Sequence, residues 1–330
     1  MSAFQFRWGW VRVLGWYAVC ALATLSARAA WTGALVPAYF APDQSADWQA
    51  LANAADRVPL IAIANVFNGP GTERQQAVAT VLQQVRDRGG RVVGYVHSTY
   101  GKRPLEQVRA DALRWGEFYS LDGIFVDEMT NDTASTNLTY YQTLYHDLKT
   151  EHPEWLVVGN PGINTREAYL TGPSADLLVV FENRVGYLTY QRDLWTSQHP
   201  TSSFAHLGYQ VPAANFPTYL GLARTRRAGW VYFTDDALPN PWDRLPTYWP
   251  ALVNDLEAKN AAEPLSISLQ RGENGVFRLR IRSIPGLHSV QASSDLRTWF
   301  DWVPVRVLGE EEVVELPWAP AQQRYLRVVR

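Results

Sequence analysis

Short apolar runs alternate with amphipathic stretches at regular spacing from Leu35 to Glu257. Apolar runs bounded by turn residues indicate buried strands, and apolar residues spaced by three or four positions indicate helices. Eight strands that alternate with helices over about 230 residues fit a (β/α)8 TIM barrel by length and order. The predicted strands are Leu35–Phe40, Leu60–Asn65, Arg91–Val96, Gly123–Val126, Leu156–Gly159, Leu177–Phe181, Phe204–Leu207 and Trp230–Phe233.

The stretches between these strands predict helices. The clearest is Glu73–Arg88, where Val78 and Val85 lie on one helical face and Gly89 follows at the position of a C-terminal cap. We expect a helix after each strand. A doubly wound open sheet is the alternative, but the sequence lacks the glycine-rich first turn that such a sheet needs to bind a nucleotide. The other helices are predicted at Trp48–Ala55, after Pro104, and at Leu138–Lys149, Tyr219–Arg227 and Leu245–Glu257.

The pattern changes near Glu263. Leu265 and Ile267 alternate with polar residues, and turns rich in glycine and proline separate the short apolar runs that follow. Alternation with a period of two residues is typical of strands that bury one face. The sequence therefore predicts a barrel over residues 30–260 and a small β-sandwich-like accessory module over residues 264–330.

Residues 1–29 have the pattern of a secretory signal peptide. Arg7 and Arg12 flank the start of a mostly apolar stretch, and Ala27-Arg28-Ala29 matches a cleavage site. We therefore expect a secreted protein, extracellular or periplasmic, without stable membrane insertion after cleavage; an uncleaved N-terminal anchor is the alternative. Cys20 is the only cysteine and lies in this segment, so the mature chain would have no disulfide and no cysteine metal site.

The charge balance gives no indication of a polyanionic partner. The 30 basic and 32 acidic side chains leave a formal net charge of −2, so we expect no nucleic-acid partner. The chain has 14 Trp and 16 Tyr, and aromatic rings either pack in cores or offer platforms for the apolar faces of sugars. We expect a monomer that needs no cofactor and whose partner is a polysaccharide substrate.

Carboxylates directly follow two of the predicted strands. Gly123–Val126 leads into Asp127 and Glu128, and Leu177–Phe181 leads into Glu182. The carboxyl ends of barrel strands carry catalytic groups, and buried charges are costly unless they are paired or used. We therefore predict that these three acids are catalytic. Capping of the next helix is the alternative.

Other polar side chains stand at the predicted strand ends, and we predict that they bind substrate. The six histidines show no HxH or HExxH spacing, so no metal site is predicted. The sequence also lacks the G-x-S-x-G motif of serine hydrolases. The predicted substrate-binding residues are Tyr39, Asn65, His97, Thr99, Tyr100, Asn160, Tyr209 and Asp235.

Two carboxylate sites across a barrel mouth suit glycoside hydrolysis, which needs one carboxyl as acid and another as nucleophile or base. Burial and mutual repulsion push the pKa values of two such groups apart, so that one stays protonated. Other hydrolases and isomerases use paired acids on the same fold, so the residues leave those reactions open. A barrel that binds polysaccharide without cleaving it is the alternative from a different functional class.

The region from Leu35 to Glu257 resembles the spherulin-4 family of glycoside hydrolases. The resemblance implies a (β/α)8 barrel and endo-acting hydrolysis of α-1,4-linked N-acetylgalactosamine in a galactosamine-containing polysaccharide. The segment around His97 differs from the more usual family form, which lacks the histidine. The motifs that carry the resemblance are Val36-Pro37-Ala38-Tyr39, Asn65 to Gly71, Gly94 to Gly101, Asp122 to Glu128, Gly159-Asn160-Pro161-Gly162 and Val180-Phe181-Glu182.

The acids conserved in that family correspond to Asp127, Glu128 and Glu182, and the family does not cover the C-terminal module. We assign Glu182 as general acid/base and Asp127 as nucleophile or charge stabiliser. Glu128 would tune Asp127 or hold a sugar hydroxyl. Substrate assistance by an N-acetyl group, with an acid orienting the amide, is an alternative mechanism.

Overall fold

Eight parallel strands close into a barrel, which confirms the predicted fold. The computed structural model describes residues 11–12, 31–262, 265–271, 276–307, 311–317 and 325–329. The strands are buried along almost their whole length, as expected for a parallel sheet covered on both faces. They are β1 (Gly33–Ala38), β2 (Leu60–Ala64), β3 (Arg91–His97), β4 (Gly123–Asp127), β5 (Leu156–Gly159), β6 (Leu177–Asn183), β7 (Phe204–Gly208) and β8 (Trp230–Phe233).

Helices cover most of the outside of the barrel. The predicted amphipathic stretch forms helix α2, which buries Val78, Val81, Leu82 and Val85 against the strands. The helices are α1 (Ser45–Ala55), α2 (Gln76–Asp87), α3 (Leu105–Phe118), α4 (Ser135–Glu151), α5 (Ala168–Thr171), α6 (Phe216–Thr225) and α7 (Trp249–Asn260).

The expectation of a full helix after every strand is wrong after β5 and β6. Helix α5 has only four residues and ends before Gly172 and Pro173, a pair that cannot continue a helix. After β6 the chain forms three 3₁₀ turns, at Tyr187–Thr189, Leu194–Gln198 and Thr201–Ser203. Aromatic rings from these turns cover β6 and β7 in place of a helix.

Strand β6 contains a bulge at Val180. Val179 and Phe181 pair with consecutive residues of β7, so Val180 is an extra residue in β6. A bulge of this kind re-aims the side chains that follow it. Phe181 consequently faces outward, where its ring centroid lies 4.7 Å from that of Tyr187. Glu182, one residue later, faces the barrel interior.

The residues after the barrel form two antiparallel sheets, which confirms the predicted all-β character. One sheet has the order β9-β10-β13; the other has the order β14-β11-β12, with Val11–Arg12 paired to the outer edge of β14. Leu279, Val290, Val305 and Leu326 belong to one shared core. The strands are β9 (Ser266–Arg271), β10 (Phe277–Arg282), β11 (Gly286–Ser293), β12 (Phe300–Val307), β13 (Glu311–Leu316) and β14 (Tyr325–Val329).

The chain divides into two compact units. One is Thr32–Ala258; the other combines the described residues before Thr32 with those from Lys259 onward. The predicted signal peptide lies outside the described residues except for Val11 and Arg12, and it stays a prediction. Among the helices of the described residues, none has the length and apolar character needed to cross a bilayer.

Candidate active site

Asp127 is the last residue of β4 and lies inside the barrel mouth. Its Oδ2 accepts a hydrogen bond of 2.9 Å from the hydroxyl of Tyr95, and its Oδ1 accepts one of 2.7 Å from Nδ2 of Asn160. Burial raises the pKa of Asp127, while hydrogen bonds from the Glu128 backbone, Tyr95 and Asn160 limit that rise by stabilising the charged form. Asp127 is therefore a half-buried carboxylate with donors arranged to hold its negative charge.

Glu182 reaches the same place from β6. Its Oε2 accepts a hydrogen bond of 2.6 Å from Nδ2 of Asn160. Burial, followed by repulsion from Asp127, raises the pKa of Glu182 to about 7, and the Asn160 hydrogen bond opposes that rise. Glu182 has fewer donors than Asp127, so it is the carboxyl that holds a proton near neutral pH.

Asn160 joins the two acids. It follows β5, and each hydrogen of its amide nitrogen points to a different carboxylate. An amide oxygen in that position would face two acceptors, so the contacts define the orientation of the side chain. Oδ1 of Asn160 is buried and has no hydrogen-bond partner within the described residues, so it can accept a hydrogen bond from substrate or water.

Tyr95 is a site residue that the sequence analysis missed. It lies in β3 two positions before His97, and its register partner is Phe125 of β4, two positions before Asp127. The alternation of strand side chains therefore places it one layer below the acids, where its hydroxyl reaches Asp127. The sequence does contain a signal for Tyr95. It stands in an apolar strand two residues before His97, so both side chains point to the same face. The ring of Tyr39 packs edge-on against Tyr95, with centroids 5.7 Å apart.

Glu128, His97 and Thr99 form a second group at the rim. Nδ1 of His97 lies 3.1 Å from Oγ1 of Thr99 and 3.8 Å from Oε2 of Glu128. Glu128 has a positive φ of 52°, and Thr99 and Tyr100 have φ values of 50° and 54°. Positive φ is costly for residues other than glycine, above all for a β-branched one, and such strain clusters at functional sites.

A buried hydroxyl holds the backbone of the two adjacent acids. Oγ of Ser98 lies 3.0 Å from the carbonyl oxygen of Asp127 and 2.8 Å from that of Glu128. The hydroxyl of Tyr141 lies 2.9 Å from the same Oγ and accepts a hydrogen bond from the amide of Thr130. Tyr141 can therefore donate to Ser98, whose single hydroxyl hydrogen is shared between these two carbonyls. The chain of hydrogen bonds connects α4 to the end of β4.

Within the described residues, three predicted substrate-binding side chains contact neither the paired acids nor the rim group. Oδ1 of Asn65 accepts the amide of Gly69 at 3.1 Å, and the ring of Tyr209 packs 5.7 Å from that of Trp242. Asp235 lies two residues beyond the end of β8. The carboxylate of Asp235 instead binds Thr247 and Arg244.

No group of three or more His, Cys, Asp or Glu residues in the described parts of the chain could hold a metal ion. The groups at the barrel mouth include the two paired carboxyls, the amide of Asn160 and two phenols, with Glu128 and His97 at the rim. Such a set can transfer protons and stabilise positive charge.

The model of a protein family, Spherulin4 (spherulation-specific family 4), matches residues 33–256, more than half of the chain. The chain belongs to the Spherulin4 family. A curated relative, Spherulin-4 of Physarum polycephalum, is 29% identical over 215 residues, which make up 62% of this chain and 63% of that protein. The aligned region thus spans less than two thirds of the relative's length.

A solved structure of the same barrel type is similar to this Spherulin4 chain. Sph3 of Aspergillus clavatus, determined in complex with GalNAc, superposes with a TM-score of 0.59 at 23% identity. The match covers 69% of this chain and 98% of that one, and it supports the fold. The Spherulin4 match begins in β1 and ends in α7, so it includes Asp127, Asn160 and Glu182 and excludes the C-terminal sheets.

Proposed function

We propose that this Spherulin4 chain is a secreted glycoside hydrolase that cleaves α-1,4-linked N-acetylgalactosamine or galactosamine in a polysaccharide. The observation that carries the proposal is the pairing of Asp127 and Glu182 on one nitrogen of Asn160, in unequal environments. Family membership and the barrel shared with Sph3, whose structure contains GalNAc, support the choice of an amino-sugar polymer.

The environments of the two acids support different roles. The pKa of Glu182 is raised to about 7, so this carboxyl keeps a proton that it can give to the glycosidic oxygen. Asp127 accepts hydrogen bonds on both oxygens, which stabilise a carboxylate, so it serves as the nucleophile. These are the roles predicted for the two residues from the sequence.

The separation of the acids supports retention of the anomeric configuration. Oδ1 of Asp127 and Oε2 of Glu182 bind the same nitrogen, so they are no farther apart than the sum of 2.7 Å and 2.6 Å. That upper limit lies below the separation of roughly 6.5–9.5 Å typical of inverting enzymes, so the arrangement favours the closer pairing of retaining ones.

A double displacement follows from this arrangement. An oxygen of Asp127 attacks the anomeric carbon while the glycosidic bond breaks and Glu182 gives its proton to the leaving oxygen. In the second step, Glu182 takes a proton from water, the water oxygen attacks the anomeric carbon, and the bond to Asp127 breaks. The hydroxyl of Tyr39 has no partner within the described residues and is available to a substrate oxygen.

The test is incubation of the mature protein with a panel of amino-sugar polysaccharides. We expect shorter products from α-1,4-linked galactosamine polymers, and the first-formed product, measured by NMR, should have the α configuration. Mass spectrometry of a trapped intermediate should place the sugar on Asp127; its absence would favour substrate assistance. Binding without turnover on every polymer would contradict the proposal and indicate a non-catalytic polysaccharide-binding barrel.

A further inference from the structure

Phe67 is an exposed aromatic residue beside the candidate active site. It lies in the loop after β2, and 67% of its surface is exposed. A large apolar side chain exposed at the mouth of a barrel loses the benefit of burial unless a ligand covers it. Asn65, two positions earlier, follows the end of β2 at this mouth.

The loop holds the ring of Phe67 in place. Asn68, Gly69 and Gly71 have positive φ values of 52°, 150° and 78°, and the amide of Gly69 donates to Oδ1 of Asn65. A Cβ added at Gly71 would lie 3.0 Å from the ring of Phe67, so the turn packs directly against one edge of that ring. Glycine is needed there both for its conformation and for the space. The ring is therefore presented on a pre-formed turn.

A cavity lies next to the ring. Its volume is about 290 Å³, and it is lined by Tyr39, Trp48, Asn65, Phe67 and Gln75 among others. That volume is near the lower end of ligand pockets, which measure roughly 300–1,000 Å³, so it suits one small unit. Nδ2 of Asn65 and the side-chain amide of Gln75 have no partners within the described residues. Aromatic walls with a few polar groups available for hydrogen bonding are typical of small-molecule sites.

The cavity adjoins the paired acids through Tyr39. Its ring packs against that of Tyr95, whose hydroxyl binds Asp127. Two aromatic side chains, Tyr39 and Tyr95, therefore connect the wall of the cavity to Asp127.

We propose that this cavity, with Phe67 at its edge, binds a second sugar unit of the polymer whose neighbour is cleaved at Asp127 and Glu182. The inference rests on the proposed function. It adds a second sugar-binding position next to the one that holds the reacting sugar. The ring of Phe67 covers the apolar face of the unit, and the amides of Asn65 and Gln75 bind its hydroxyl or acetamido groups. A site of this kind favours long chains over short ones.

The test compares Phe67→Ala with wild type on a long α-1,4-galactosamine polymer and on an aryl glycoside of a single galactosamine unit, which is too short to fill the cavity. We expect KM for the polymer to rise about tenfold, as for the loss of ~1.4 kcal/mol of binding, with kcat and the kinetics of the aryl glycoside unchanged. Gln75→Ala should raise KM in the same direction. Phe67→Trp keeps an aromatic platform and should retain wild-type KM.

Phe118→Ala is the matched control, because Phe118 ends α3 at the opposite end of the barrel. It should leave both substrates unaffected. Calorimetric binding of a hexasaccharide to Glu182→Gln, with and without Phe67→Ala, separates binding from turnover. Unchanged polymer KM and unchanged binding in Phe67→Ala would overturn the inference while leaving the proposed function intact. Absence of both turnover and binding in the wild type would overturn the two together.

Discussion

Asp127 and Glu182 bind the two hydrogens of a single amide nitrogen, Nδ2 of Asn160, at 2.7 Å and 2.6 Å. The shared donor brings together two negative groups that would otherwise repel each other. Asp127 has a further hydrogen bond from Tyr95, whereas among the described side chains only Asn160 donates to Glu182. Burial raises the pKa of both acids, and Asp127 has more donors that oppose the rise.

Asp127→Asn and Glu182→Gln should each remove most activity. The changes preserve size but abolish the nucleophile in one case and the proton donor in the other, and acid–base catalysis alone contributes about 10²–10⁴-fold. The measurement is kcat on the polymer, with thermal unfolding to verify folding. Asp147→Asn makes the same change on α4, where the carboxylate pairs with Arg109, and should keep full activity. Near-full activity of either site variant would show that the two-carboxylate mechanism is wrong.

Activity should depend on pH through both acids. The general acid must be protonated, so kcat/KM should fall as pH rises through about 7, the pKa of Glu182. The nucleophile must be ionised, so kcat/KM should also fall as pH drops through the raised pKa of Asp127. A measured profile without a basic limb between pH 6 and 8, roughly a unit around that pKa, would contradict the assignment of Glu182.

Tyr95→Phe should move only the acidic limb of that profile. The substitution removes a donor that stabilises ionised Asp127, so the pKa of Asp127 rises and the acidic limb shifts upward by about one pH unit. Tyr140→Phe is the matched control, since its hydroxyl binds the backbone oxygen of Arg103. An acidic limb that stays in place in Tyr95→Phe would show that the phenol does not act on Asp127.

Ser98→Ala should lower kcat by about tenfold with little change in KM, because the hydroxyl holds the carbonyls of both adjacent acids. Stability should fall by about 1–2 kcal/mol. Tyr141→Phe breaks the same chain of hydrogen bonds, so the two substitutions should be non-additive in a double-mutant cycle. Ser174→Ala, a buried serine before β6, is the control. If Ser174→Ala lowers kcat by the same factor, the effect of Ser98→Ala does not come from its hydrogen bonds to the carbonyls of Asp127 and Glu128.

His206 should make the fold sensitive to acid. It is fully buried in β7 beside the hydroxyl of Tyr187, and burial lowers its pKa to about 3, against ~6.5 in the unfolded chain. Between pH ~3 and ~6.5 the folded state therefore binds fewer protons than the unfolded chain. Its contribution to stability is complete above pH ~6.5 and is lost as pH falls toward 3, by at most ~1.4 kcal/mol per pH unit.

His206→Phe removes this titration, so the free energy of unfolding should depend less on pH between 6 and 4, a window of roughly two units, than in the wild type. Denaturant unfolding at several pH values measures the difference. Glu182 has the opposite effect, because its raised pKa stabilises the folded state as pH falls. Both the wild type and His206→Phe contain Glu182, so its effect cancels when their pH slopes are compared. Identical pH slopes would contradict a buried neutral His206.

The C-terminal module should be dispensable for chemistry. A chain that ends at residue 260 keeps the compact unit Thr32–Ala258 and all residues of the candidate site. We expect turnover of short oligosaccharides within about twofold of the full chain, since domains of this size fold as units. Reduced activity on insoluble polymer alone would assign substrate capture to the module. Complete loss of turnover in a truncation that still unfolds cooperatively would contradict the prediction.

The barrel, its strands and its acids at strand ends could be read from the sequence. Apolar runs and helical stripes are local patterns that burial in a parallel sheet requires, and strand ends follow directly from them. For that reason Asp127 and Asn160 lie where the sequence predicted them, at the ends of β4 and β5. The missing helix after β6 could not be predicted, because aromatic side chains from the 3₁₀ turns that follow cover the strand instead.

The tertiary structure alone decided which of these groups meet. Glu182 faces inward because Val180 is bulged, and strict alternation along β6 could not show that extra residue. Tyr95 joins the site because the register of β3 and β4 brings its hydroxyl to Asp127, whereas the carboxylate of Asp235 binds Arg244. Local patterns determine where a strand ends, but register and bulges are set by pairing between segments far apart in the chain, so only the folded molecule determines which side chains share a site.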